Sequence, residues 1–109
     1  GLLETDVYKF VFFVPADHLE PVKEAVFASG AGQSGDYDHC CFQTRGEGQF
    51  RPLDGAQPHI GKVGDVEKVV EYRVELVCTD DLIKAAVAAM KLAHPYEEPA
   101  YDVWQLAEF

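Results

Sequence analysis

The sequence predicts an α+β domain in the ferredoxin-like β-α-β-β-α-β order: a four-stranded antiparallel sheet with two helices on one face. Three observations predict it. The run Tyr8–Val14 is almost wholly aromatic or β-branched. Residues 66–77 alternate apolar and polar. Two segments with helical apolar spacing fall between strand-like runs, each closed by a helix breaker.

Each element follows in order. Tyr8, Phe10, Phe12 and Val14 share one face of the first strand, and Val11 and Phe13 share the other. That pattern fits a central strand buried on much of both faces. Pro15 ends it. Asp17 and Glu20 then form a capping-box-like helix start. Leu19, Val22, Ala25 and Val26 make the apolar stripe of that helix, and Gly30 stops it. Cys40–Arg45 reads as the second strand. Residues 46–65 hold five glycines and two prolines and read as one long connection, with room for a short hairpin around Gln49–Pro52.

Val66–Val77 is the third strand. Val70, Tyr72, Val74 and Leu76 point one way, and Glu71, Arg73 and Glu75 point to a wet face. Thr79, Asp80 and Asp81 place a cap and two acids at the start of the second helix. Leu82, Ile83, Ala86, Val87 and Met90 form its buried stripe, and Pro95 stops it at His94. Tyr101–Leu106 is the last strand. The chain reads as a single domain over 1–109, with 1–7 as a loosely ordered N-terminal extension and Gly1 as a trimmed start.

Composition narrows the function classes. Nine basic and 19 acidic residues give a net charge of −10. The charge is evenly divided between the two halves, and there is no basic stripe. Nucleic-acid binding therefore lacks its electrostatic footprint, and anionic membranes repel the surface. A cationic partner or a divalent metal is compatible with it. No apolar run reaches transmembrane length, and no signal pattern opens the chain. Cys40, Cys41 and Cys78 have no disulfide-framework spacing. Buried thiols and a reducing, cytoplasmic setting are the expectation.

Several segments invite a chemical reading. Gly30–Gly35 matches G-x-G-x-x-G, but it follows a helix and leads into a strand, the reverse of a dinucleotide fingerprint. A helix C-cap and a tight turn explain it better. His39 beside Cys40 suggests a nucleophile and base, yet adjacent strand residues point apart. His94–Asp102 offers a nitrogen from His94 and oxygens from Glu97, Glu98 and Asp102, ligand types suited to a divalent metal. His59 would complete such a site if the fold brought it close. The competing reading makes Pro95 and Pro99 backbone constraints, Tyr96 a packing residue and the glutamates caps or subunit contacts. The loop Gly46–Asp65 is either ligand-facing or a flap over a sheet edge or subunit contact.

Longer strings carry a family resemblance. They are Gly30-Ala31-Gly32, the run from Gly35 to Pro52, Ala56–Gly61, Val70–Glu75 and His94–Asp102. Together they resemble the domain inserted into the longer Nif-three-like proteins of the YqfO type, over about residues 8–106. Cys41 stands where that resemblance leads one to expect serine. The resemblance implies a PII-like and CutA-like fold. It places a His-Pro-Tyr-Glu stretch of CutA kind at His94–Glu97. It also implies trimers whose sheets meet edge to edge, or a cap on a larger ring. The dinuclear metal site of the longer proteins would lie in flanking domains that these residues do not include.

The resulting expectation is a small self-assembling binding or regulatory module, sensing a divalent metal or metabolite at subunit clefts. A homo-oligomer is expected, a trimer before a dimer. A structural or partner-binding domain is the alternative. A metal-assisted hydrolase built on His94 with Glu97 or Glu98 ranks third, so the sequence leans away from catalysis.

Overall fold

In a computed structural model, described over residues 6–109, seven elements appear in chain order. They are β1 (Val7–Pro15), a 3-10 turn (Ala16–His18), α1 (Leu19–Ala28), β2 (Phe42–Phe50), β3 (Glu67–Thr79), α2 (Ile83–Ala93) and β4 (Tyr101–Gln105). The sheet order is β2-β3-β1-β4, with every neighbouring pair antiparallel. This is the expected ferredoxin-like arrangement. Most of the predicted extension, residues 1–5, lies outside the described residues, and Val7 already belongs to β1.

The core sits between the helices and one sheet face. Phe10, Phe12, Val14, Val74 and Leu76 supply the sheet side, and Val22, Val26, Ala86 and Met90 the helix side. Phe10, Phe12, Val14, Val22, Val26, Val74, Ala86 and Met90 are fully buried. Val11 is fully buried as well, on the opposite face, as its place in a central strand requires.

Several boundaries differ from the sequence reading. The second strand begins at Phe42 and runs to Phe50, so Gly46–Phe50 is strand and not loop or hairpin. Arg45 pairs with Tyr72 and Phe50 with Glu67. Two strand glycines hid this, because glycine weakens a strand signal. Cys40 and Cys41 precede the strand, so the argument from strand alternation does not apply to them. The first helix starts after a 3-10 turn with no side-chain cap from Asp17, and α2 starts at Ile83 with none from Thr79 or Asp80. Leu82 N–H instead donates to the Thr79 carbonyl, making a turn before the helix. The last strand ends at Gln105.

The glycine motif is architectural. Gly30 takes φ +100 and its N–H donates to the Phe27 carbonyl, closing α1. Gly32 takes φ +81, donates to Val77 and accepts from Cys40, and a Cβ there would sit 2.8 Å from the Phe27 ring. The motif thus stitches the helix exit to the sheet.

Glu67–Val70 of β3 pair with β2 but have no β1 partner, because β1 ends opposite Glu71. The β2–β3 hairpin therefore projects past the rest of the sheet. Residues 51–66 return across this projecting end, and the site lies there.

Candidate functional site

His94 anchors the site from behind. It is the last residue before the α2 breaker Pro95 and is buried at 6% exposure. Its Nε2–H donates to the Phe13 carbonyl at 2.7 Å, and its Nδ1 accepts the Tyr96 N–H at 3.1 Å. This pairing defines a neutral ring with the proton on Nε2. Burial pulls the His94 pKa below the ordinary imidazole value, and the Phe13 carbonyl partly opposes that. Both nitrogens are engaged, so His94 ties the helix exit to β1 and orients Tyr96.

Tyr96 is the next layer. Its ring lies 5.1 Å from His94, 5.8 Å from Phe50 and 6.3 Å from His59, centroid to centroid. Its hydroxyl oxygen is buried against the Glu71 carboxylate, without a hydrogen bond of good geometry among the described residues. Burial, reinforced by the Glu71 and Asp17 charges and by the contact with the Glu71 carboxylate, pushes its pKa up to about 12.

Glu71 stands beside it. Register puts Glu71 on the sheet face away from the helices, together with Gly48 and Phe50. Its side chain lies across the Gly48 backbone, where any Cβ would collide with the carboxylate. Burial raises the Glu71 pKa, opposed by the Tyr96 hydroxyl. Glu71 has no ion-pair partner among the described residues.

Around these groups lies a pocket of about 270 Å³. Phe50, Pro52, Pro58 and Ile60 give it apolar walls, and Arg51, His59, Glu71, Tyr96, Glu97 and Glu98 bring polar atoms. Residues 51–66 roof it. The Glu97 carboxylate accepts the Gln57 N–H at 3.0 Å and latches the roof to the segment before β4. His59 also stacks edge-on against His18 at 5.3 Å.

Of the four predicted ligand residues, His59, Glu97 and Glu98 share this pocket, whereas His94 lies outside its lining. No three His, Cys, Asp or Glu side chains among the described residues are grouped to hold a metal ion. His39 does not act on Cys40: it takes φ 55, stacks on Phe27 at 4.7 Å and points its nitrogens at Glu24 and Asp38. Cys78 is buried, and Cys40 and Cys41 are partly exposed; all three are free thiols.

Sequence reasoning missed Glu71, Gly48 and Phe50. One signal was available: a glycine inside a strand often marks close approach of another group.

No protein-family model matches the chain. Among curated proteins, it is 49% identical over 98 residues to a GTP cyclohydrolase 1 type 2 homolog of Mycobacterium leprae, covering 90% of this chain and 26% of that protein. The homolog of that description in Bacillus subtilis is 45% identical over 100 residues, covering 92% and 27%. A crystal structure of a Bacillus cereus protein related to NIF3 superposes with TM-score 0.81 at 40% identity, covering 95% of this chain and 26% of that one. The chain corresponds to one domain of the NIF3-related, YqfO-type family. This NIF3-type domain spans about a quarter of the length of the curated relatives it matches. CutA from Xylella fastidiosa superposes with TM-score 0.68 at 18% identity, covering 95% and 86% of the two chains, which shows a shared CutA-like fold.

Proposed function

We propose that this chain is a small self-assembling binding and regulatory module, and that its ligand occupies the pocket roofed by residues 51–66. The observation that supports this is a pocket whose wall holds the Glu71 carboxylate without a counter-ion among the described residues. The roof is held across the pocket by one side-chain hydrogen bond, Glu97 to Gln57, which suits a site that opens and closes.

A small metabolite fits the apolar walls directly. A divalent cation is the second reading, supported by the placing of His59, Glu97 and Glu98 on one pocket. It needs the roof to draw them closer, since no ready-made ligand set is present among the described residues. Hydrolysis through His94 would first have to break one of that ring's two hydrogen bonds.

Assembly follows from the sheet. β2 and β4 are its outer strands, and an unpaired strand edge invites another chain. Phe42 on β2 is 69% exposed and Trp104 on β4 is 42% exposed. A homo-oligomer, a trimer before a dimer, covers such edges. A structural domain that docks on another protein is the alternative use of the same edges.

Thermal melting with a panel of metabolites and divalent metals tests the binding reading, because a ligand of the folded state raises the midpoint. Light scattering at micromolar concentration tests assembly. A monomer with no midpoint shift from any compound would overturn both.

A further inference from the structure

Resting on the pocket reading above, we propose that the pocket selects an organic cation: a compound with a primary ammonium group on a short apolar body. The ammonium would sit on the Glu71 carboxylate, with its apolar body against Phe50 and Ile60.

Four observations carry the charge assignment. First, Glu71 is the carboxylate held at the pocket's inner wall. It lies over the Gly48 backbone and has no cationic partner among the described residues. A half-buried carboxylate without a counter-ion is stabilised most by a ligand that supplies one. Second, the buried Tyr96 hydroxyl stands against Glu71 but brings it no positive charge. An ammonium has three donors and no acceptor, so it can supply the counter-charge that Tyr96 does not. An anionic ligand would face Glu71 at close range.

Third, the rings of Phe50, Tyr96 and His59 surround the position, with Tyr96 5.8 Å from Phe50 and 6.3 Å from His59. Aromatic faces attract organic cations more than neutral isosteres. A fully hydrated metal ion gains little from them. Fourth, the volume of about 270 Å³ lies just below the range of roughly 300–1,000 Å³ usual for small-molecule sites. A compact amine fits within it.

Arg51 also contributes to the wall but is exposed at the start of the roof. Glu97 and Glu98 lie on the same wall and are exposed too, so acidic groups outnumber basic ones there. A strongly acidic chain, with net charge −10, draws cations toward the pocket as well.

The test compares benzylamine, benzyl alcohol and benzoate, which share one ring and differ in charge. Binding is read by isothermal calorimetry and by chemical-shift changes at the Tyr96 and Gln57 amides. Benzylamine is expected to bind at least tenfold more tightly than benzyl alcohol, and benzoate more weakly than either. Glu71→Gln should bring benzylamine down to the level of benzyl alcohol. Gly48→Ala keeps the carboxylate but displaces it, and should weaken benzylamine several-fold. Amide spectra without ligand check that both variants are folded. Equal binding of all three compounds, or tighter benzoate, would overturn the charge assignment and leave the pocket reading standing. No binding by any of them, with no shift at Tyr96, would overturn the pocket reading with it.

Discussion

The two ends of the His94–Tyr96 contact differ in kind. On the helix side, His94 is buried with both ring nitrogens paired. On the pocket side, Tyr96 is partly exposed, and its buried hydroxyl oxygen stands against Glu71 without a well-formed hydrogen bond among the described residues. The first arrangement is what stability alone produces, because nearly every buried polar group in a folded protein is paired. The second falls short of that, at the wall of the pocket. Two residues apart in sequence, the chain passes from structure to candidate function.

The contrast can be strained from its strong side first. Phe12→Ala would empty a fully buried position in the middle of β1. A loss of about 3–5 kcal/mol is expected in urea unfolding, and ligand affinity per folded molecule should change little. A loss below about 1 kcal/mol would mean that the core is not where the stability lies.

His94→Gln comes next. It leaves the Phe13 carbonyl and the Tyr96 N–H without the imidazole, at a cost of about 1–3 kcal/mol. It should also change the pH profile. The folded-state pKa of His94 lies below the ordinary value of 6.5. The unfolded chain therefore binds the proton more readily, and stability declines as pH falls below about 6.5. His39 acts in the opposite sense, because Asp38 and Glu24 raise its pKa, but it is exposed and its effect is screened. Unfolding measured between pH 7.5 and 5 should show an acid-side decline that His94→Gln flattens and His39→Gln does not. An unchanged slope in His94→Gln would show that the imidazole is not the titrating group.

Tyr96→Phe probes the weak side of the comparison. Removing a buried hydroxyl that lacks a well-formed hydrogen bond should leave stability unchanged or raise it by up to about 1 kcal/mol. A clear destabilisation would show that its contact with Glu71 is a strong hydrogen bond and erase the difference between the two sides. The smallest effect belongs to Glu97→Ala. It frees the exposed Gln57 N–H, and the cost to global stability should stay under about 1 kcal/mol. Hydrogen exchange at Gln57 should nonetheless quicken, since the latch governs local opening of residues 51–66. Unaltered exchange would mean that the roof is held by its packing.

Sequence alone set the element order and the helix-covered core. The alternation of residues 66–77 and the apolar spacing of the helices encode their buried faces locally, and Val14, Val22, Val74 and Met90 all lie where those patterns put them. It also singled out His59, Glu97 and Glu98, which share one pocket. It did not show that Gly46–Phe50 continues β2, because a glycine-bearing strand is specified by its partner β3 and not by its own side chains. Nor did it show that Glu71, apparently one more acid on a wet face, is folded over Gly48 and covered by a loop. That depends on a cross-strand register and on the return of residues 51–66, contacts between positions far apart in the chain. The same holds for His94. Its residue type suggested a ligand, and only the Phe13 carbonyl, brought to it by tertiary packing, decided that both of its nitrogens are already engaged.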